Sequence, residues 1–470
     1  MRPRLRITLA LFLAAILGVA SAAAFDQQIT STLSAEGYSV PRADGTWIAR
    51  RRIVEDLRLG AFNLLPGSAD PYYRGPRLSV ELALRLDTDF AVGGDESNPA
   101  MDSAYVPGLT PVHVDANVAN MSAEGLWQGA LDVRAGRQIR MGTLGFFAFD
   151  GAETVVHLPI GASFATYMGY EVRGGDLLGW SDLELDGTDS GGRHGLTADR
   201  FPDREDPSLR LATGAELTLS PVAWLDAAAA VQAVGLNGPI ASQEVGGRMS
   251  LGGEPILADG RVVWNAMLEV LGEADAELAV TPIDALTVAA EYHLFRPTFE
   301  GDSIFNVFDI APENDAGGRV EVRPVSAVSL AGWGFARMAD GSAGIDGRAA
   351  DALVSGAGGG LGGTYRTLAR SLSLRLSGVW EWGEKRLGAE AGAGQAFWNR
   401  RLWLNLRLST WHLDDAFSSR LAGNLAGYVL SGRFTLTEGA VVVGEFEHYV
   451  GGGMEQRFTA LAILEIEVWR

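Results

Sequence analysis

The 470-residue chain contains no cysteine, so it can form neither a disulfide nor a thiolate metal site. Lysine is nearly absent too: Lys385 is its single occurrence, and arginine carries the rest of the positive charge. Basic residues number 38 against 58 acidic ones, a net charge of −20 with no compensating basic run, which excludes nucleic acid as a partner. Charged residues make up only 20% of the chain and hydrophobic ones 47%, a balance that excludes extended disorder. Apolar runs long enough for a membrane helix are missing from the body of the chain. The longest uncharged segment, 227–243, is broken by Gln232, Gly235, Asn237, Gly238 and Pro239.

What the N-terminus does have is an address. Arg2, Arg4 and Arg6 precede an apolar run from Ile7 to Ala20 and the small residues Ser21 to Ala24, the three-part layout of a secretory signal over residues 1–24. Cleavage after Ala22 or Ala24 fits equally, and leaves 35 basic against 58 acidic residues, a net charge of −23. An exported chain without cysteine needs no oxidative folding.

The dominant pattern is alternation with a period of two. From Leu78 to Phe90, one face reads Leu78, Val80, Leu82, Leu84 and Leu86, and the other reads Glu81, Arg85, Asp87 and Asp89. Leu209 to Leu219, Leu372 to Trp380 and Leu402 to Leu408 split in the same way, with Arg210 and Glu216, Arg375, and Arg407 on their polar faces. One phase holds from Val262 to Val280, which as a single strand predicts a length of roughly 60 Å at ~3.3 Å per residue. Strands with two different solvents, behind a secretory signal and with aromatic residues near their ends (Trp224, Tyr292, Trp380, Phe397, Trp411, Tyr449), predict a transmembrane antiparallel β-barrel. A soluble exported solenoid or propeller is the competing architecture.

Proline marks strand ends, because it cannot donate to a ladder. Pro221, Pro282 and Pro324 each close one strand about three residues before the next begins. Counting outward from these turns gives about eighteen strands, with sixteen as the alternative, and a division into a periplasmic N-terminal segment 25–52 and a barrel 53–470. In this count 123–137 and 261–280 are single strands, 235–260 is an external loop, and 91–122 falls on the periplasmic side by parity although its length and turn residues suit an external loop.

Inward charge is the feature closest to function. The expected pore lining is Glu81, Arg85, Asp87, Asp132, Arg134, Arg210, Glu216, Glu269, Glu273, Glu277, Glu291, His293, Arg375 and Arg407. Acids outnumber arginines on these faces, which predicts a mild cation preference, unless the charges pair across neighbouring strands and leave little net field. Asp182, Glu184, Asp186 and Asp189 alternate before and after Gly187 as in a calcium loop, but Arg193 stands where a bidentate Glu is wanted, and a solvated acidic loop explains the same residues. His293 beside Glu291 is the one histidine placed for hydrolytic chemistry, and a lumen ion pair is the simpler account of it.

The run Leu131 to Gln138 ending in Gly136-Arg137-Gln138, followed by Phe149-Asp150-Gly151-Ala152, resembles the signature of outer-membrane porins of the alginate-export type. The resemblance implies an eighteen-stranded barrel in which an up-strand ends near Gly136-Arg137-Gln138 and the chain returns at Asp150-Gly151. It covers about thirty residues, and Met141 to Ala148 lacks the arginines that would suit a polyuronate.

These observations predict an outer-membrane channel of a Gram-negative-type envelope, passing small hydrophilic solutes or ions by diffusion, mildly cation-selective or carbohydrate-preferring. No catalytic residue is assigned and no cofactor is expected beyond calcium at the acidic loop. Its partners are outer-membrane lipids and the solutes themselves, and its oligomeric state is open. A barrel hydrolase and a structural or adhesive surface barrel are the alternatives.

Overall fold

The computed structural model describes residues 25–41, 47–65, 68, 73, 75–89, 112–172, 180–181, 208–236, 238–296, 313–338, 354–381, 384–415, 422–451 and 454–469. Strands account for nearly all of them. The first third contains β1 (Asp26–Pro41), β2 (Trp47–Phe62), β3 (Arg77–Asp89), β4 (Val112–Gly125), β5 (Leu131–Gly142), β6 (Gly145–Leu158) and β7 (Ala162–Glu171). The two-residue β8 (Trp180–Ser181) pairs with the first residues of β9 and lies outside the ring. The middle holds β9 (Ser208–Val222), β10 (Leu225–Leu236), β11 (Ile240–Gly253), β12 (Ile256–Asn265), β13 (Val270–Ile283) and β14 (Leu286–Phe295). Then come β15 (Glu313–Val325), β16 (Val328–Met338), β17 (Val354–Arg366), β18 (Arg370–Glu381) and β19 (Glu384–Phe397). The last are β20 (Leu402–Asp415), β21 (Gly423–Thr437), β22 (Ala440–Gly451) and β23 (Met454–Trp469).

Each strand pairs antiparallel with its neighbours, and β1 closes the ring on β23, from Gln28 opposite Trp469 to Tyr38 opposite Thr459. Without β8 the ring has 22 strands. Closure removes the free edges that an open sheet of this size would expose. Even a ten-residue strand such as β7, rising ~3.3 Å per residue and tilted by ~40°, spans the ~25 Å of a bilayer's apolar band.

Which solvent each face meets follows from its side chains. On β18, Leu372, Leu374 and Leu376 are 55%, 53% and 43% exposed, and the same face of β20 exposes Leu404, Leu406 and Leu408. A contiguous leucine band of this kind, left uncovered around a ring, is stable only against lipid. The opposite face carries ion pairs between adjacent strands, such as Arg319 on β15 with Glu291 on β14 at 3.3 Å. It lines the lumen.

The two rims differ. The connections 159–161, 223–224, 254–255, 284–285, 326–327, 367–369 and 438–439 share a rim with both ends of the described chain, whereas β3–β4, β7–β9, β14–β15 and β16–β17 are joined by long segments at the other. Pro221, Pro282 and Pro324 each sit one residue before a strand's end on the short-turn rim, where the ladder slips by a bulge: Val280 still faces Val288, but Ile283 faces Leu286. Their role as strand ends is as the sequence indicates.

The strand count of eighteen, or sixteen, is wrong, for local reasons. Residues 26–41, assigned to a periplasmic segment, form β1, and β2 begins at Trp47, so the barrel starts ahead of residue 53. The stretch 123–137 is two strands, the end of β4 and the start of β5, joined by a four-residue helical turn, Leu126–Gly129. Part of the presumed loop 235–260 is β11. The stretch 261–280 is a hairpin: Asn265 Oδ1 accepts the backbone N–H groups of Met267 and Leu268 at 3.1 and 3.0 Å, and Glu269 adopts φ +56°. The turn carries the alternating phase from β12 into β13, so periodicity alone cannot see it. With four strands added, β3 ends and β4 begins on the same rim as the other long connections, which settles the parity of 91–122. Residues 1–24, expected to be a secretory signal, and the segment holding Asp182, Glu184, Asp186 and Asp189 lie outside the described residues.

Candidate functional site

One hairpin departs from the wall. β5 and β6 pair with each other without a break from Leu131 opposite Val156 to Gly142 opposite Gly145. The ladder from β4 to β5 nevertheless lasts only from Ala123 opposite Val133 to Ala119 opposite Arg137, although β4 runs on to Val112. On the other side, β6 stays with β7 up to Phe149 opposite Glu171. The distal part of the hairpin therefore leaves both neighbours and folds, as a two-stranded tongue, over the lumen face of the wall from β7 to β12.

The bend lies on a cross-strand row of three glycines, Gly136, Gly151 and Gly169. Gly136 has φ +118°, and a Cβ on it would overlap the Ala119 carbonyl oxygen. A Cβ on Gly151 would overlap the Met168 carbonyl, and one on Gly169 would lie 2.7 Å from the Gly151 Cα. With three bare backbones in a row the sheet can crease; side chains there would hold it apart.

Where β5 leaves β4, Arg137 takes over the lost ladder bond. Its Nε and Nη2 donate to the two carboxylate oxygens of Asp150, both at 2.7 Å, and its Nη1 donates to the Ala116 carbonyl of β4 at 2.9 Å. The guanidinium is 3% exposed, so the fork is desolvated, and planar bidentate geometry is what such a pair requires. Beside it the buried Gln138 donates to the Gly151 carbonyl at 3.3 Å. The residues that carry the resemblance, Gly136-Arg137-Gln138 and Asp150-Gly151, thus make the crease and its clamp. The strand does not end there, as the resemblance implies, but runs on to Gly142. Substituting Arg137 alone with Ala removes the bidentate partner of Asp150 and is expected to cost about 3–5 kcal/mol of unfolding free energy, with the Arg137→Leu, Asp150→Leu pair costing much less. Urea titration of the refolded barrel reads both; equal losses would show that the clamp is not an ion pair in energetic terms.

The tip of the tongue is moored on β9, β11 and β12. Thr143 Oγ1 donates to Glu216 Oε1 at 2.8 Å, and the Thr143 N–H reaches the same oxygen at 3.3 Å. Arg140 bridges Glu216 on β9 and Glu153 on β6. From β12, Arg261 donates through Nε to the Thr143 carbonyl at 2.8 Å and grips Glu273 with two bonds of 2.7 and 2.8 Å. Leu144 rests over Gly246, where a Cβ would stand 2.6 Å from its methyl. Beneath the root, Tyr167 donates to Gln232 Oε1 at 2.7 Å, lies 4.8 Å under the Arg140 guanidinium, and packs against Phe147 and Phe149. A small polar cavity between tongue and wall is lined by Arg140, Glu216, Gln232 and Glu244.

The remaining residues expected in the pore are spread around the wall. Asp87 pairs with Arg52, Arg134 with Glu153, Arg210 with Glu171, and Glu277 and Glu291 flank Arg319. Asp132 meets His157 at 2.7 Å and His293 meets Asp275 at 2.5 Å; no hydroxyl among the described residues hydrogen-bonds the His293 ring. Arg85 stands between Asp56 and Asp115 in register, Glu81 opposite Gly60 and Asn120, and Arg407 opposite Gly392 and Val429. Arg375 reaches Trp333. Glu269 is corrected: its place is the turn between β12 and β13, not the pore wall. Of the whole set, Glu216 and Glu273 take part in mooring the tongue; Arg137, Arg140, Thr143, Tyr167 and Arg261 were missed. A signal existed. Phe147 and Phe149 occupy the lumen-facing phase of β6, and apolar rings there mean that protein covers both faces.

No protein-family model matches the chain, and no curated protein matches it in sequence. Among solved structures, it resembles a mutant ferric enterobactin receptor of Pseudomonas aeruginosa with a TM-score of 0.51 and 10% identity, covering 94% of this chain and 81% of that one. The P pilus usher translocation pore PapC follows at 0.46, with 9% identity and 94% and 99% coverage. OccAB4 of Acinetobacter baumannii gives 0.43, with 8% identity and 96% and 99% coverage. At such identities the likeness is one of fold, and the fold class is a large closed antiparallel β-barrel.

Proposed function

We propose that the protein is an outer-membrane channel through which small hydrophilic solutes diffuse, narrowed by the tongue. The observation that carries this reading is the combination of a lipid-suited outer band with an ion-paired inner wall around a ring of 22 strands. At ~4.8 Å between strands and a ~40° tilt, such a ring is roughly 44 Å across at the backbone, wider than a hairpin. In this reading the tongue restricts the passage without filling it. Rates then depend on the width left beside the tongue and on lumen charge.

Carboxylates exceed arginines on the inner wall, which favours cations; the ion pairs between adjacent strands keep the preference mild. The test is a planar-bilayer recording of the refolded protein under a salt gradient. Ohmic conductance with a reversal potential displaced toward the cation value is expected. Lipid-baseline current would refute the channel, and an anion-side reversal would refute the charge argument.

A further inference from the structure

The inner face of β16 to β22 is built differently from the ion-paired wall across the lumen. Five aromatic side chains there lie across glycines of neighbouring strands: Trp333 over Gly360, Phe335 over Gly358, Trp403 over Gly394, Trp411 over Gly388 and Tyr449 over Gly427. A Cβ on Gly360 or Gly394 would stand 3.0 or 2.8 Å from the tryptophan ring, and on Gly358, Gly388 and Gly427 it would enter the ring. Register puts all five in the lumen-facing phase, alternating with the outward Leu330, Leu404 and Phe446. Trp411 and Tyr449, read from the sequence as belt residues, therefore face inward.

Packed against bare backbone, each ring is covered on one side by the neighbouring strand, and all five are half-buried in the lumen-facing phase. Trp333 and Phe335 are nearly parallel, at 7° with centroids 6.2 Å apart. The Arg375 guanidinium lies 5.4 Å from the Trp333 centroid. Between the rings, Glu390, Glu445 and Glu447 share the inward phase with Arg375, Arg407 and Arg433 and with Ser409 and Asn405, so donors and acceptors alternate with apolar plates and these charges balance. Trp403 and Trp411 are eight residues apart on β20, about 26 Å along the strand at ~3.3 Å each, so the plates follow the passage.

A ring with an electron-rich face suits a partner that presents a patch of C–H bonds. Guanidinium, carboxylate, amide and hydroxyl groups around it suit a rim of hydroxyls that both donate and accept. A pyranose ring has that division: C–H on its flat side, hydroxyls at its edge. Balanced charge selects a neutral sugar over a polyanion.

We infer that the inner face of β16 to β22 is a binding track for neutral pyranose saccharides. This deepens the channel reading by naming a solute class, and it rests on that reading for transport but not for binding. The experiment titrates maltohexaose, mannohexaose and cellohexaose, with trigalacturonate as the anionic comparison, into the detergent-solubilised full-length barrel by calorimetry, and records current noise from the same sugars in a planar bilayer. Saturable binding of at least one neutral hexasaccharide is expected, weakened tenfold or more by Trp333→Ala and by Trp411→Ala, largely kept by Trp333→Phe, and unchanged by Trp380→Ala on the outer face. Conductance without any neutral-sugar binding overturns the track and leaves the channel standing. Sugar binding without conductance does the reverse. Binding of the uronate alone, or undiminished binding in both alanine variants, overturns the assignment; the wild-type titration decides even if those variants fail to fold.

Discussion

Single-channel conductance rises severalfold, and becomes noisy, when Glu216 is replaced by Ala. That carboxylate accepts both bonds from Thr143 and pairs with Arg140, so its removal takes away the mooring on β9 and leaves Arg140 with Glu153 alone. Deleting one member of such a desolvated cluster costs about 3–5 kcal/mol, which shifts a moored-to-released equilibrium by roughly two to four powers of ten. The Arg261 bond to the Thr143 carbonyl and the packing of Leu144 on Gly246 remain, but both depend on the tip staying in place. Glu216→Gln keeps an acceptor for Thr143 and loses the charge, so an intermediate conductance is expected. A Glu216→Ala channel of wild-type conductance, in a barrel shown to be folded by its heat-shifted mobility on a gel, would mean that the tongue does not limit flow.

The largest loss of stability is expected at the crease. Gly151→Val puts a branched side chain where even a Cβ meets the Met168 carbonyl, and Gly136→Ala adds the cost of φ +118° for a non-glycine residue, about 1–3 kcal/mol before any clash is counted. Either variant must push the backbone of β4 or β7 away, which breaks the short ladder between β4 and β5 and the Arg137 clamp with it. Gly444→Ala is the control, because a Cβ there meets nothing within 4 Å and removes only backbone freedom from the unfolded chain. Urea unfolding of the refolded barrels should show a clear drop in midpoint for the first two and none for the third. Equal midpoints across the three would mean that the sheet does not need its bare row.

The motif residues were legible as a signature and illegible as a device. Gly136, Arg137, Gln138, Asp150 and Gly151 stand out in the sequence, but what they do depends on Ala116 and Ala119 of β4 and Met168 of β7, which become neighbours only in the sheet. The inward acids and arginines could be named from their phase; which of them pair could not, since Arg140 and Glu216 are 76 positions apart. The strand count failed where a hairpin keeps phase through its turn, as at Asn265 to Glu269, and where a strand such as β1 carries too many polar residues for its alternation to be noticed.

By itself the sequence determined that strands alternate between an apolar and a charged face, and that prolines end them at one rim. Those are consequences of a period of two and of a missing N–H, and both act within a few residues. Only the tertiary structure decided that there are 22 strands, that one hairpin leaves the wall, and that five aromatic rings turn inward onto glycine. Each of those depends on how closely one backbone approaches another. That distance is set by the neighbouring strand's side chains, or by their absence.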